Sequence, residues 1–197
     1  MERITLICGL DEAGRGPLAG PVTAGAVVLP KDFPVELLND SKKLTEKKRE
    51  KIEPIIKDLC CWGIGIVDHE TIDSMNILQA SMYAMKLAYD MMVLKLPEWI
   101  NNHNLNEYDL SVIVDGNVCP KINNDNIMCE PKADANYPAV MAASILAKVC
   151  RDKIMIEMDK KFPEYGYAKH KGYPTVAHRE ICKKIGPSPI QRKTFKY

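Results

Sequence analysis

Short unbroken apolar runs recur along the chain, each cut off by a charge, a glycine or a proline. Ile4-Thr5-Leu6-Ile7-Cys8-Gly9-Leu10 is the first, and Thr23 to Leu29, set between Gly20-Pro21 and Pro30, is the second. Trp62 to Val67 and Ser111 to Val114 follow, and Ile127-Met128-Cys129 makes a short fifth. Runs of this length with few polar interruptions predict buried strands.

A longer rhythm lies between them. Thr45 to Asp58 is charged, with apolar Ile52, Ile55, Ile56 and Leu59 on one side, and Pro54 is expected to break it. Met75 to Leu96 is rich in Met, Leu and Ala and is predicted to end at Pro97. Pro138 to Lys161 carries the clearest helical pattern. Its proline suits a first-turn position, and Ala142, Ala143, Leu146, Val149 and Cys150 form a stripe at helical spacing. After Phe162 the chain is rich in Gly, Pro, His and Lys, with one short helix expected over Val176 to Ile185.

Strands alternating with helices predict an α/β fold, a sheet layered by helices. The expected organisation is a core over residues 1–147 and a small basic helical region over 148–197, with the helix at 138–161 bridging both.

The chain has 197 residues, 46% of them hydrophobic and 27% charged, which describes an ordinary folded domain and not a disordered chain. Its formal net charge of +1 is the sum of two unlike parts. Residues 1–147 hold 21 acids against 14 Lys/Arg, a net −7, and residues 148–197 hold 13 Lys/Arg against 5 acids, a net +8. An acidic body with a basic end suggests a polyanionic partner, although a solvated Lys-rich helix explains the same charge. The seven cysteines, at 8, 60, 61, 119, 129, 150 and 182, include no CxxC pair, which argues against a zinc site of the usual spacing. Several lie in apolar runs, so reduced thiols in a cytoplasmic protein are expected. The opening Met1-Glu2-Arg3-Ile4 does not read as a signal peptide and no apolar run reaches membrane-spanning length, so neither a leader nor a transmembrane span is expected.

The chemistry begins where strands end. The first strand delivers Asp11 and Glu12 into a glycine-rich turn, Ala13-Gly14-Arg15-Gly16-Pro17. Asp115 follows the strand Ser111–Val114, and Asp134 comes just before the long helix. Neighbours in an extended segment point to opposite faces, so only one of Asp11 and Glu12 need enter a shared site. Taken singly, Asp134 also reads as a helix cap, Asp115 as an Asx-turn residue, and Asp11-Glu12 as a solvated turn. The recurrence of the same placement three times is what those readings leave unexplained. Clustered carboxylates repel one another unless a cation lies between them, and an all-oxygen donor set selects Mg²⁺ or Mn²⁺ over zinc.

These residues carry a family resemblance. Gly9-Leu10-Asp11-Glu12-Ala13-Gly14-Arg15-Gly16-Pro17-Leu18-Ala19-Gly20-Pro21-Val22 resembles the opening signature of ribonuclease HII, the type 2 ribonuclease H. Asp40-Ser41-Lys42-Lys43-Leu44, Val114-Asp115-Gly116-Asn117, Ala142 to Val149, His170-Lys171-Gly172-Tyr173-Pro174-Thr175 and Gly186-Pro187-Ser188-Pro189-Ile190 match in the family's order over essentially the whole chain. The resemblance implies a ribonuclease H-like mixed sheet with a C-terminal helical extension. It implies an endonuclease that cuts the RNA strand of RNA–DNA hybrids and incises 5′ to single ribonucleotides in duplex DNA. Two departures stand out: Gln191 where relatives usually have His, and Ala133 where Gly is common. The type 3 enzyme carries an additional N-terminal domain and a Glu at the fourth acidic position. Here the signature begins at Gly9 and position 134 is Asp, so the type 2 form is expected.

Matched residue by residue, the family's four acids fall on Asp11, Glu12, Asp115 and Asp134, which would serve as catalytic metal ligands. Two divalent ions about 3.5–4 Å apart can activate water and stabilise the leaving oxygen, leaving 3′-hydroxyl and 5′-phosphate ends. Asp11 is the expected bridging ligand, and Glu12 is expected to act through its carbonyl or a water. Gly14, Arg15, Gly16 and Tyr173 are the expected readers of the ribose 2′-hydroxyl, the group that separates RNA from DNA. Ser41, Lys42, Asn117, Ser144, Lys148, His170 and Lys171 are further candidates for substrate contact, mostly to phosphates. For any lysine outside a motif, surface solubility is the simpler reading. A monomer is expected, and the tail Lys193–Tyr197 is too short to define a docking peptide for a replication clamp. A hybrid-binding module without activity and a metal-dependent hydrolase of small phosphates are the competing functions. Clustered acids disfavour the first, and the basic end disfavours the second.

Overall fold

The computed structural model describes residues 4–38, 44–105 and 107–196. Five strands form one mixed sheet: β1 (Ile4–Ala13), β2 (Val22–Val28), β3 (Cys61–Val67), β4 (Tyr108–Asp115) and β5 (Ile127–Glu130). Their order is β3-β2-β1-β4-β5, so the first strand lies at the centre. β1 pairs antiparallel with β2 and parallel with β4, and β4 pairs parallel with β5. This is the expected α/β sheet, with β1 running three residues further than its apolar pattern and carrying both acids inside the strand.

Helices cover both faces. α1 (Glu46–Leu59), α2 (His69–Met75) and α3 (Ile77–Asn102) come before β4; α4 (Pro138–Lys161), α5 (Tyr167–His170) and α6 (Val176–Ile185) follow β5. Even-numbered residues of β1 and β2, such as Leu6, Leu10, Ala24 and Ala26, pack with Ala84 and Met85 of α3. On the other face Val27 packs with Ala142, Ala143 and Leu146 of α4 and with Ile52 and Ile56 of α1. The period of two along each strand thus separates an α3 side from an α4 side.

Glycines set how closely the helices approach. A Cβ on Gly9 would stand 2.2 Å from the backbone of Ala139, and one on Gly25 would stand 2.4 Å from the carbonyl oxygen of Ala143. Both positions therefore need the missing side chain for α4 to lie flat on β1 and β2.

Three expectations change. Pro54 lies inside α1 and does not end it, and α3 continues through Pro97 to Asn102. Each proline costs one backbone bond. Burial of Ile52 and Ile56 in α1, and of Leu96 and Ile100 on either side of Pro97, holds the helices across the gap. The third change concerns the thiols. Cys119 and Cys129 form a disulfide with Cα atoms 5.6 Å apart, where the apolar setting of the cysteines predicts reduced thiols. Cys129 pairs with Val114 across β4 and β5, so the chain leaving β4 at Asp115 turns back far enough for Cys119 to meet it. Cys8, Cys60, Cys61 and Cys182 are buried free thiols, as expected. Among the described residues no helix is long and apolar enough to cross a membrane.

Candidate active site

Leu10 pairs with Val114, so Asp11 and Asp115 leave two parallel neighbours side by side at their C-terminal ends. Asp11 is odd-numbered on β1, like Gly9, and so belongs to the α4 side. Asp134 sits in a short helical turn, Ala133–Ala135, that leads into α4. One carboxylate oxygen from each of Asp11, Asp115 and Asp134 lies within 4.8 Å of the others. Asp11 and Asp134 are buried.

The acids are held by their neighbours. The backbone N–H of Ala133 donates to Asp115 at 2.9 Å, and that of Glu12 donates to Asp11 at 2.7 Å. Ser144 of α4 hydrogen-bonds Asp11 and in turn accepts from the Lys148 ammonium at 3.0 Å. Burial, then the charge of Glu12, pushes the Asp11 carboxyl up to about 8, with Asp115 adding to the rise and Ser144 opposing it. A carboxyl this reluctant to ionise, facing two more acids, fits a divalent cation that would replace the proton. The donor set is all oxygen, which suits Mg²⁺ or Mn²⁺. Glu12 stands apart from the three. Its carboxylate lies 3.3 Å from the Arg15 guanidinium, and burial raises its pKa against that nearby charge.

The turn after β1 meets Tyr173. Gly14 has φ +99°, and a Cβ there would stand 2.2 Å from the Arg151 side chain. Arg15 and Gly16 are exposed. A Cβ built on Gly16 would be 3.7 Å from the Tyr173 ring, which is itself 47% exposed. Arg15, Gly16 and Tyr173 therefore form one surface patch, with Gly14 buried beneath it, and Arg15 and Gly16 lie four and five positions along the chain from Asp11.

Other candidates are placed less directly. Asn117 is exposed in the loop after β4. His170 uses both ring nitrogens on the backbone: Nε2 lies 2.9 Å from the carbonyl of Tyr165, and Nδ1 accepts from the N–H of Gly172 at 3.1 Å. It shapes the Tyr173 loop from behind. Lys171 donates to the carbonyl of Ala168 and pairs with Glu46 at 3.2 Å. Ser41 and Lys42 lie outside the described residues.

Sequence reasoning missed Arg151 and Arg192. Both are buried, and both bind the segment around the glycine turn. Arg192 ends the run Pro189-Ile190-Gln191-Arg192, and a basic residue closing an apolar motif was the available signal. Gln191 is buried and pairs through its backbone with Ala19.

A mixed sheet with its first strand central, acids at the ends of two parallel neighbours and a long helix beneath them defines the ribonuclease H-like class. The solved ribonuclease H2 from Pyrococcus horikoshii has this fold, with a TM-score of 0.68 at 29% identity over 97% of this chain and 94% of that one. The ribonuclease HII of Archaeoglobus fulgidus, solved in a complex with PCNA, shares the fold with a TM-score of 0.71 at 24% identity, covering 98% and 96%. A family model described as Ribonuclease HII matches residues 8–197. The Ribonuclease HII of Treponema denticola is 51% identical over 193 residues, 96% of this chain and 98% of its own length, and that of Acetivibrio thermocellus is 49% identical over 191 residues, 96% and 69%. The chain belongs to the ribonuclease HII family. It is a hydrolase of the ribonuclease H type.

Proposed function

We propose that this ribonuclease H cuts the RNA strand of RNA–DNA hybrids and incises 5′ to a single ribonucleotide embedded in duplex DNA, an activity suited to ribonucleotide excision repair in the cytoplasm. The observation that carries the reading is the adjacency of two devices: the Asp11–Asp115–Asp134 cluster and the Gly14–Gly16 turn lying against Tyr173.

Asp11, Asp115 and Asp134 would hold the catalytic cations, with Glu12 contributing through its carbonyl or a water. Two divalent ions, Mn²⁺ or Mg²⁺, bound there would supply an activated water and charge neutralisation at the departing 3′ oxygen. The protein does the rest. Ser144 keeps Asp11 aimed, with Lys148 beside it. The exposed turn offers peptide groups to a ribose, and the Tyr173 ring offers a stacking surface for the neighbouring sugar. Lys148 and the basic residues of 148–197 would meet phosphates, so binding should weaken as salt rises. Asn117, exposed in the loop after Asp115, would contact the same strand.

The test is a duplex DNA carrying one ribonucleotide, incubated with Mn²⁺ or Mg²⁺, against the Asp11→Asn variant. Cleavage 5′ to the ribonucleotide, with 3′-hydroxyl and 5′-phosphate ends and loss in the variant, is the expected result. Binding without cutting would make the protein a hybrid-binding module. No binding at all would return the small-phosphate hydrolase.

A further inference from the structure

Arg192 is fully buried, and all five of its N–H groups go to backbone carbonyls of one short segment. Nε donates to Gly20 at 2.9 Å, Nη1 to Arg15 at 3.1 Å and Pro17 at 2.8 Å, and Nη2 to Gly14 at 2.7 Å and Pro21 at 3.0 Å. Arg151, also buried, donates to the carbonyls of Pro21 at 2.9 Å, Ala19 at 3.1 Å and Lys171 at 2.8 Å. Its guanidinium carbon lies 5.8 Å from the centre of the Tyr173 ring. Among the described residues neither arginine is paired with an acid. Two buried cations are thus compensated mainly by carbonyl dipoles, with the centre of the Phe195 ring 5.0 Å from the Arg192 guanidinium and no direct ion pair, an arrangement that core packing does not require and that costs desolvation.

The consequence follows from peptide geometry. A trans peptide sets its C=O and the next residue's N–H in opposite directions, and the described chain has no cis bond. Arg192 draws the carbonyls of Gly14 and Arg15 inward, so the N–H groups of Arg15 and Gly16 point outward. Neither N–H has an acceptor among the described residues, and both residues are exposed. The other peptides that Arg192 and Arg151 hold behave differently. Leu18 N–H donates to Gly172 and Gly20 N–H donates to Ile190, the peptide after Gly20 ends on Pro21 and has no N–H, and the peptide after Pro21 belongs to Val22, the first residue of β2. In the turn itself the clamp leaves two adjacent donors, those of Arg15 and Gly16, presented to a ligand.

We propose that Arg192, seconded by Arg151, is a positioning residue for ribose recognition: it turns the Arg15 and Gly16 peptides so that their N–H groups meet the 2′-oxygen of the ribonucleotide, and Arg151 locks Tyr173 to the same frame. The inference rests on the reading of the glycine turn and Tyr173 as the ribose sensor. The chemistry it names is a neutral oxygen acceptor on the sugar, approached by two preorganised peptide donors.

The test separates positioning from folding and from that underlying reading. Affinity for a duplex with one ribonucleotide is compared with affinity for the same all-DNA duplex, without divalent metal, so that chemistry plays no part. Wild type should prefer the ribonucleotide duplex. Arg192→Lys keeps the charge but loses the five-donor fork, and its ratio of affinities should fall about tenfold, the worth of one hydrogen bond. A purely structural role would lower both affinities together and leave the ratio alone, which would overturn the proposal. Tyr173→Ala reports on the underlying reading. If it loses the preference while Arg192→Lys keeps it, only the arginine assignment fails. If wild type shows no preference, or Tyr173→Ala retains it, the ribose-sensor reading falls and this inference falls with it. A measurement on the unmutated chain covers the case of an unfolded variant. The amide resonances of Arg15 and Gly16 should shift with the ribonucleotide duplex and not with DNA. Resonances that stay in place overturn the proposal.

Discussion

Asp115 accepts, at 2.9 Å, the backbone N–H of Ala133, the residue directly before Asp134. One carboxylate therefore fixes the turn that carries another. Substituting Asp115 by asparagine and by alanine separates the two duties. The asparagine side chain retains an oxygen that can take the Ala133 N–H, so the Asp115→Asn protein should melt close to wild type while its metal-dependent cleavage falls by about a thousandfold, several kcal/mol of barrier. Asp115→Ala leaves the N–H without its partner and should also lose about 1–3 kcal/mol of stability. Thermal melting beside a cleavage assay distinguishes the two.

The raised Asp11 carboxyl gives a pH dependence of definite sign. Its value moves from 3.8 to about 8, because of burial first and the Glu12 charge next. Between those values the folded protein holds a proton that the unfolded chain has released. Stability without metal should therefore be fullest below the lower value and fall as pH rises through the upper one. Asp11→Asn should flatten that fall, as seen by melting across the pH range in a chelator. Mn²⁺ competes with the same proton, so its apparent affinity for wild type should climb as pH approaches 8.

Gly25→Ala tests the close seat of α4. Its Cβ would meet the Ala143 carbonyl at 2.4 Å, a backbone atom that cannot swing aside. A loss of about 1–3 kcal/mol is expected from overpacking. Because Ala143 precedes Ser144, Mn²⁺ affinity should drop as well. Gly16→Ala is the contrast: its Cβ finds only ordinary contact with Tyr173 at 3.7 Å, and stability should change by no more than about 0.5 kcal/mol. Melting curves of the pair decide.

Tyr173→Ala removes an exposed ring and should leave folding intact. Its effect belongs to the substrate: kcat/KM on a duplex with one ribonucleotide should fall about ten- to a hundredfold, the range of a stacking contact worth ~1–3 kcal/mol. Unchanged cleavage would remove Tyr173 from the site.

Strands and the long helix were legible because burial leaves a periodic imprint. β2 and α4 lie where the apolar rhythm put them. The prolines misled because local propensity counts one lost bond and not the tertiary packing of Ile56 or Ile100 that outweighs it. Asp11 and Asp115 were legible from their place at strand ends and Asp134 from its place before the long helix, and β-pairing of Leu10 with Val114 brings the first two together. Glu12 is not one of the three within 4.8 Å, as alternation along a strand leads one to expect, although its charge still acts on Asp11. The basic residue that closes Pro189–Arg192 hints at a role for Arg192, but its partner is not legible, because the glycine-turn carbonyls that Arg151 and Arg192 hold are 130 to 178 residues away in sequence. Nor does spacing foretell the Cys119–Cys129 bond, which depends on where β5 docks.

β1 and the turn that follows it are one continuous piece of chain. Arg15 is four positions along the chain from Asp11, a reach of at most ~13–14 Å, whereas a duplex needs ~34 Å for one helical turn. On the proposed reading, the group that would break the strand and the group that would feel the sugar can reach only neighbouring nucleotides. The cut site would then be set by a ruler made of covalent bonds, and lengthening it by a residue between Ala13 and Gly14 should move or abolish the incision without touching any of the clustered acids.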